Sequence, residues 1–295
     1  MFETISLVKR HMLRFLRDKT AVFFSFLSVI ILLALYFLFI GRSYTSYDAM
    51  SAIHDESLKS FLVVSMMMGG VLVINSMSLS LGMMGNIIED LDNHSLDAFL
   101  VTPIKRNRII ISYYIAANIV TIILSFAMWL FTFLYAGLAL NYWYTLDVFL
   151  KTTGLLVFYS FISTSIMIYI TTLLKSVNAF GTLSGVLGTF VGFVSGIYMP
   201  LSILGSAMTK FASLVPFTHM TILLKSILLE QPMAILSGYV NNDTIMAEIR
   251  ADYGLNQIGI LNIDISLPWI FVLIILFSIL MLFLALKNMT KKINR

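Results

Sequence analysis

The chain has 295 residues, 59% hydrophobic and only 12% charged, with a net charge of +4 and a mean hydropathy of +0.93. A soluble domain carries about 25% charged residues, so a soluble enzyme and a disordered chain are excluded; the lack of cysteine excludes a disulfide scaffold and thiolate chemistry. The small basic excess does not by itself point to nucleic acid, because membrane chains gather Lys and Arg on one side.

Residues 2–19 read as an interfacial amphipathic helix. At 100° per residue, Ile5, Val8, Met12, Phe15 and Leu16 fall within about 100° of one another, with Glu3, Ser6, Arg10, His11, Arg14 and Arg17 opposite. The alternative, a basic topogenic tail, needs the charge but not the periodicity. Six stretches free of Asp, Glu, Lys and Arg follow: 20–41, 60–88, 109–146, 152–174, 176–209 and 265–286. A crossing takes roughly 20 apolar residues. Each stretch therefore holds one span, placed at about 21–40, 61–86, 109–136, 148–174, 179–198 and 267–286. The first is longer than a signal-peptide core and lacks a small-x-small site at Ile40-Gly41-Arg42, so it is expected to remain as a span. A seventh apolar run, 211–224, has only 14 residues and contains Pro216 and His219, so it reads as a re-entrant or interfacial segment. No repeat or linker divides the chain, and residues 1–295 are read as one all-α transmembrane domain.

Charge sets the expected orientation. Thirteen bases, among them Lys9, Arg10, Arg14, Lys105, Arg106, Lys175 and Lys292, fall on one side with six acids. Six bases and nine acids fall on the other. The positive-inside rule then puts both termini in the cytoplasm of a multi-pass plasma-membrane protein. The connection 199–266 becomes an extracellular loop, in which 243–253 can form a short helix.

The connection 87–108 reads IIEDLDNHSLDAFLVTPIKRNR. Glu89, Asp90 and Asp92 precede a short helix at 96–101, Pro103 ends it, and Lys105, Arg106 and Arg108 begin the next span. Phe99 and Leu100 are then apolar residues below the membrane. They either meet a partner or fold into a tight turn against the protein's own helix ends.

This arrangement resembles the permease subunits of ABC-2 type ATP-binding-cassette exporters. Their phrase between spans two and three has an acidic cluster, Gly-Thr-Leu-Glu, a few apolar residues, Thr-Pro and an apolar residue. The counterparts here are Glu89-Asp90, His94-Ser95-Leu96-Asp97, Ala98–Val101 and Thr102-Pro103-Ile104, with His94 where Gly is usual. Gly196-Ile197-Tyr198-Met199-Pro200 and Leu214-Val215-Pro216-Phe217 resemble the family's exit from span five and its extracellular re-entrant helices. The resemblance implies a coupling helix seated in a separate ATPase, with Glu89, Leu96, Asp97, Phe99, Leu100, Thr102 and Pro103 as contact residues. It also implies two ATPase copies that hold ATP and Mg, and a second permease copy or homologue beside this one in the lipid. This chain would supply no catalytic residue, cofactor or metal site and would bind no nucleic acid.

Span five repeats Gly181, Gly185, Gly188, Gly192 and Gly196 along one face. Small residues let helix backbones approach in lipid, either within the chain or at a dimer seam. Span two carries Asn75, Ser76, Ser78 and Ser80 among methionines. Asn75, Met77, Ser78, Ser184 and Phe193 are the expected lining of a substrate path. Charge deep in a span costs about 2.5–3.5 kcal/mol and marks ion pathways; its absence argues against a proton-coupled carrier. No G-x-x-x-x-G-K-[ST] loop is present, so any ATPase motor is another chain. The expectation is an exporter of an amphiphilic drug, peptide or lipid. The alternative is a lipid- or envelope-glycan-handling enzyme, using acids such as Glu230, Asp243 and Glu248, or a sensor or immunity subunit.

Overall fold

In lipid each backbone polar group must be satisfied internally, and a helix does this segment by segment. The computed structural model describes residues 2–35, 55–96, 104–198, 201, 205–239, 243–255, 259–261, 263 and 265–293. They form α1 (Phe2–Arg17), α2 (Lys19–Leu35), α3 (Glu56–Asp92), α4 (Arg106–Ala139), α5 (Leu146–Thr172), α6 (Val177–Val194), α7 (Gly205–Ala212), α8 (Pro216–Ser237), α9 (Asp243–Asp252) and α10 (Leu267–Ile293). Among the described residues there is no strand, only an isolated bridge between Ile260 and Ile263.

Six described helices are long and apolar enough to cross a membrane: α3, α4, α5, α6, α8 and α10. Five coincide with expected spans. The described part of α2 has 17 residues, and 36–40 of the expected first span lie outside the described residues. The unexpected helix is α8, with 22 residues where the sequence offered a run of 14. Pro216, whose missing N–H costs nothing in a first turn, begins it. The charge-free run stops at Lys225, but the helix continues because Lys225 is buried and its Nζ donates to the Gly196 carbonyl at 2.9 Å.

The two ends of the bundle are distinct. Thr290 donates to Asn107 at 2.8 Å, Lys292 donates to the Leu174 carbonyl, and Arg108 pairs with Glu3 at 3.4 Å. Thus α1, the α5–α6 turn and the end of α10 share one end, here called proximal. The distal end carries the α4–α5 turn. There Asp55 caps α3 and accepts from the Tyr142 hydroxyl at 2.6 Å. Helix α8 reaches only part of the way between the ends. The Tyr159 hydroxyl, midway along α5, donates to the Met220 carbonyl at 2.9 Å near the start of α8. Nearly two turns before its end, Gln231 bonds the Trp143 carbonyl and the Thr145 N–H, both at 2.9 Å, at the distal turn.

Helix α3 is the axis of the bundle. In its most apolar stretch 83% of the residues are buried, against 22% in α6 and in α10. Lipid supplies no hydrophobic drive between helices, so close packing and hydrogen bonds must hold them. Accordingly Ser76 meets Ser163 at 2.8 Å, and Ser80 meets Thr121 and Thr164 at 3.2 and 3.0 Å. Asn75 donates to Ser125 at 3.3 Å.

Helix α6 ends at Val194, short of the expected 198. Gly196 has φ +69°, Gly196 N–H reaches the Phe193 carbonyl at 3.2 Å, and Ile197 N–H reaches the Gly192 carbonyl at 3.1 Å. This pair of bonds is a Schellman stop, for which glycine pays no Cβ penalty. Gly196 therefore terminates the helix and does not belong to its glycine face.

Candidate functional site

The N-terminal helix is clamped onto the proximal ends of α3 and α4. Asp90, fully buried, accepts from Arg10 at 3.1 Å, from Arg14 and from the Tyr113 hydroxyl. Arg14 also pairs with Glu89 at 2.8 Å. His11 stacks on Tyr113 with ring centroids 3.7 Å apart. Its Nε2 faces Ser112 Oγ at 3.2 Å, and because that hydroxyl donates to the Ile109 carbonyl, Nε2 carries the proton. Arg10 then donates to Nδ1 at 3.3 Å.

The clamp corrects the expected face of α1, which ends at Arg17 rather than 19. Leu7, His11 and Phe15 are buried against the bundle, while Ile5 and Leu16 stay 58% and 42% exposed. A helical wheel assigns His11 to water because it ranks residues by polarity. It contains no information on Tyr113 and Asp90 waiting on the other side.

Burial, reinforced by Arg10 and Arg14 and opposed by Asp90, pushes the His11 imidazole down to about 3. The unfolded chain binds a proton on this histidine near pH 6.5, and the docked helix does not until much lower pH. Docking strength is therefore fully present above pH 6.5 and falls as the pH drops from 6.5 toward 3. Hydrogen exchange at the amides of 7–15 is expected to quicken between pH 6.5 and 4.5, beyond the intrinsic pH dependence. His11→Phe, which keeps the stack on Tyr113, is expected to flatten that excess.

Beside the clamp, α2, α3 and α6 enclose a groove of about 250 Å³. Asp18, Ala21 and Phe24 come from the start of α2 and the turn before it, and Val177, Phe180, Gly181 and Ser184 come from α6. From α3 come Met77, Ser78, Leu81, Gly82, Gly85, Asn86, Ile88 and Glu89. Gly85 lets Phe180 approach, since a Cβ there would lie 3.1 Å from the ring. The groove is acidic at its proximal mouth, with Asp18 and Glu89, and increasingly apolar toward Met77 and Phe24.

Of the expected path residues, Met77, Ser78 and Ser184 line this groove together. Asn75 does not: it is buried against Ser125 of α4. Phe193 lies farther along α6, 46% exposed and edge-on to Tyr198 at 5.0 Å. The glycine face divides as well. A Cβ on Gly181 or Gly185 would meet nothing within 4 Å, Gly188 is buried, and Gly192 is packed under the Tyr198 ring.

Of the expected ATPase contacts, Glu89 is bonded to Arg14. Leu96 is buried in the protein's own core, its N–H on the Asp90 carbonyl at 3.1 Å. Asp97, Phe99, Leu100, Thr102 and Pro103 lie outside the described residues. His94 has φ +54°, a left-handed conformation that favours glycine.

Asp18 and Asn86 were not anticipated as groove residues. A signal for Asn86 does exist: Ser78, Gly82, Asn86 and Glu89 recur at spacings of four, four and three, one face of a helix. Asp18 carries no comparable mark, because only the turn between α1 and α2 brings it there.

Comparison with curated proteins finds no match. A family model described as ABC-2 type transporter matches residues 3–229, from α1 through the clamp and groove into α8. The chain belongs to the ABC-2 type transporter family and is a membrane permease of an ABC transporter.

Proposed function

We propose that this permease exports an amphiphilic substrate, which passes along the groove between α2, α3 and α6. The observation carrying this reading is the convergence of Met77, Ser78, Gly181 and Ser184 on one cavity beside the open face of α6. A second permease copy facing Gly181 and Gly185 would close the groove into a path. ABC-2 permeases work with an ATPase subunit. Two ATPase copies, holding ATP and Mg, seat against 97–103, and Phe99 and Leu100 provide the apolar contact. The proximal end faces the cytoplasm, a reading supported by the thirteen bases assigned to that side. Helices α7 and α8 then re-enter the membrane from outside, consistent with α8 beginning at mid-bundle.

Two outcomes test the reading in inverted vesicles that carry the permease and its ATPase. Ser184→Trp fills the groove and is expected to cut ATP-driven uptake of a neutral fluorescent amphiphile, N-phenyl-1-naphthylamine, by about tenfold, with the complex still assembled. The double substitution Phe99→Asp with Leu100→Asp is expected to abolish ATPase co-purification without affecting membrane insertion. Undiminished uptake in the first variant rejects the path, and retained ATPase in the second rejects the docking segment.

A further inference from the structure

We propose that a second groove, between the start of α8 and the first half of α10, binds a neutral lipophilic phenol or alcohol, which enters from the lipid and donates its hydroxyl to Nδ1 of His219. This groove shares no lining residue with the one between α2, α3 and α6, so the proposal does not depend on the path reading.

Two contacts give its level. The Tyr159 hydroxyl, midway along α5, bonds the Met220 carbonyl at 2.9 Å, and the neighbouring Phe158 lies against Phe271 with ring centroids 5.9 Å apart. His219 and Ile270, one residue from Met220 and Phe271, therefore sit at mid-bundle and both line the groove. It encloses about 390 Å³, within the roughly 300–1,000 Å³ of small-molecule sites. On its α10 side Leu273, Leu276, Phe277 and Leu280 are 40–57% exposed. At mid-bundle the medium against an exposed face of a spanning helix is hydrocarbon, so entry is lateral and a charged molecule is excluded.

Ionisable residues at such depth are rare and normally serve a partner. Helix α8 buries two, Lys225 and His219. Lys225 is engaged by the Gly196 carbonyl. His219 is engaged on one side: its Nε2 lies 2.8 Å from the Ser213 carbonyl oxygen. A carbonyl only accepts, so Nε2 carries the proton, and Nδ1 of the neutral ring is an acceptor. Among the residues lining the groove there is no carboxylate to pair an imidazolium, so the neutral ring is the form it presents. No donor among the described residues reaches Nδ1, yet this atom is not sealed inside the bundle as Asn75 Oδ1 and Trp129 Nε1 are.

Ser213, the other polar side chain of the lining, has its hydroxyl occupied. It donates to the Lys210 carbonyl at 2.7 Å and accepts from the Leu261 N–H at 3.0 Å. The groove therefore offers apolar walls and one free acceptor. A molecule that matches it is neutral, apolar in body and carries one hydroxyl donor. An acyl chain of the bilayer would fill the space but leave Nδ1 unmet. A phenol satisfies both needs, its ring packing against Phe277 and the leucines of α10.

The test uses the full chain in phosphatidylcholine nanodiscs, with partitioning into empty nanodiscs subtracted. The probe is tritiated 4-pentylphenol, and the competitor is 4-pentylanisole, in which a methyl group replaces the hydroxyl proton. Saturable binding of the phenol is expected, with the ether about fivefold weaker. His219→Phe, which keeps a ring but no acceptor, is expected to lower the phenol to the affinity of the ether. Leu273→Trp, on the exposed rim, is expected to weaken both about tenfold by filling the groove. The comparison of phenol with ether needs no substitution, so it decides even where His219→Phe fails to fold. Equal affinities for the two would leave the groove to apolar bodies such as acyl chains and overturn the proposal. Absence of saturable phenol binding, or unchanged binding in Leu273→Trp, overturns it as well.

Discussion

Asp90→Ala is expected to release α1 from the bundle. The carboxylate is fully buried, and it joins Arg10, Arg14 and Tyr113. Removing one partner of a buried ion pair costs about 3–5 kcal/mol, because the other is left uncompensated. Here the two guanidiniums are each about a third exposed and regain some water, so the lower end, about 3 kcal/mol, is expected. The checks are faster hydrogen exchange throughout 4–16 and new tryptic cleavage after Arg10 and Arg14. Glu89→Gln is the matched control. Its carboxylate is 46% exposed, so a cost below about 1 kcal/mol is expected. Comparable losses in the two variants would show that the clamp does not centre on Asp90.

Gly69→Ala is expected to force α3 and α8 apart. A Cβ at Gly69 would lie 2.6 Å from Lys225 Cγ and 2.8 Å from both Lys225 Cα and N. The last two are backbone atoms and cannot rotate out of the way. Overpacking at a helix crossing costs about 1–3 kcal/mol, and with backbone as the obstacle the upper value is expected. The displaced Lys225 would also lose its bond to the Gly196 carbonyl, leaving a buried ammonium unpaired. Thermal unfolding in detergent should show a clear drop in midpoint. Gly181→Ala and Gly185→Ala, where a Cβ meets nothing within 4 Å, are expected to be neutral or to gain up to about 1 kcal/mol from helix propensity. The contrast identifies which glycines the fold itself needs within one chain.

These two positions also mark what a linear reading can reach. Gly69 sits among methionines and valines with no marked repeat, yet it lies directly against the α8 backbone at Lys225. The more conspicuous stripe in α6 has open space beside its first two members and a helix stop at its last. Regular spacing shows that a face is narrow, but not whether anything lies against it. Likewise Asn75 and Ser78 look alike as polar residues of one span. Three positions apart on a fully surrounded helix, they face Ser125 on one side and the groove on the other.

The sequence by itself determined the class of protein: the charge-free runs, the basic bias toward one side and the phrase around Thr102-Pro103 were enough for an all-helical ABC-2 permease. These features are local, since hydropathy over about twenty residues and charge at helix ends need no knowledge of neighbours. What only the tertiary structure decided depends on pairs of residues far apart in the chain. Asp90 meets Arg10 across 80 positions, and Lys225 reaches the carbonyl freed at Gly196 across 29. The groove needs Asp18 from the α1–α2 turn, Asn86 from α3 and Ser184 from α6 at once. A buried charge is tolerated only beside its partner, and the sequence does not state where that partner comes to lie.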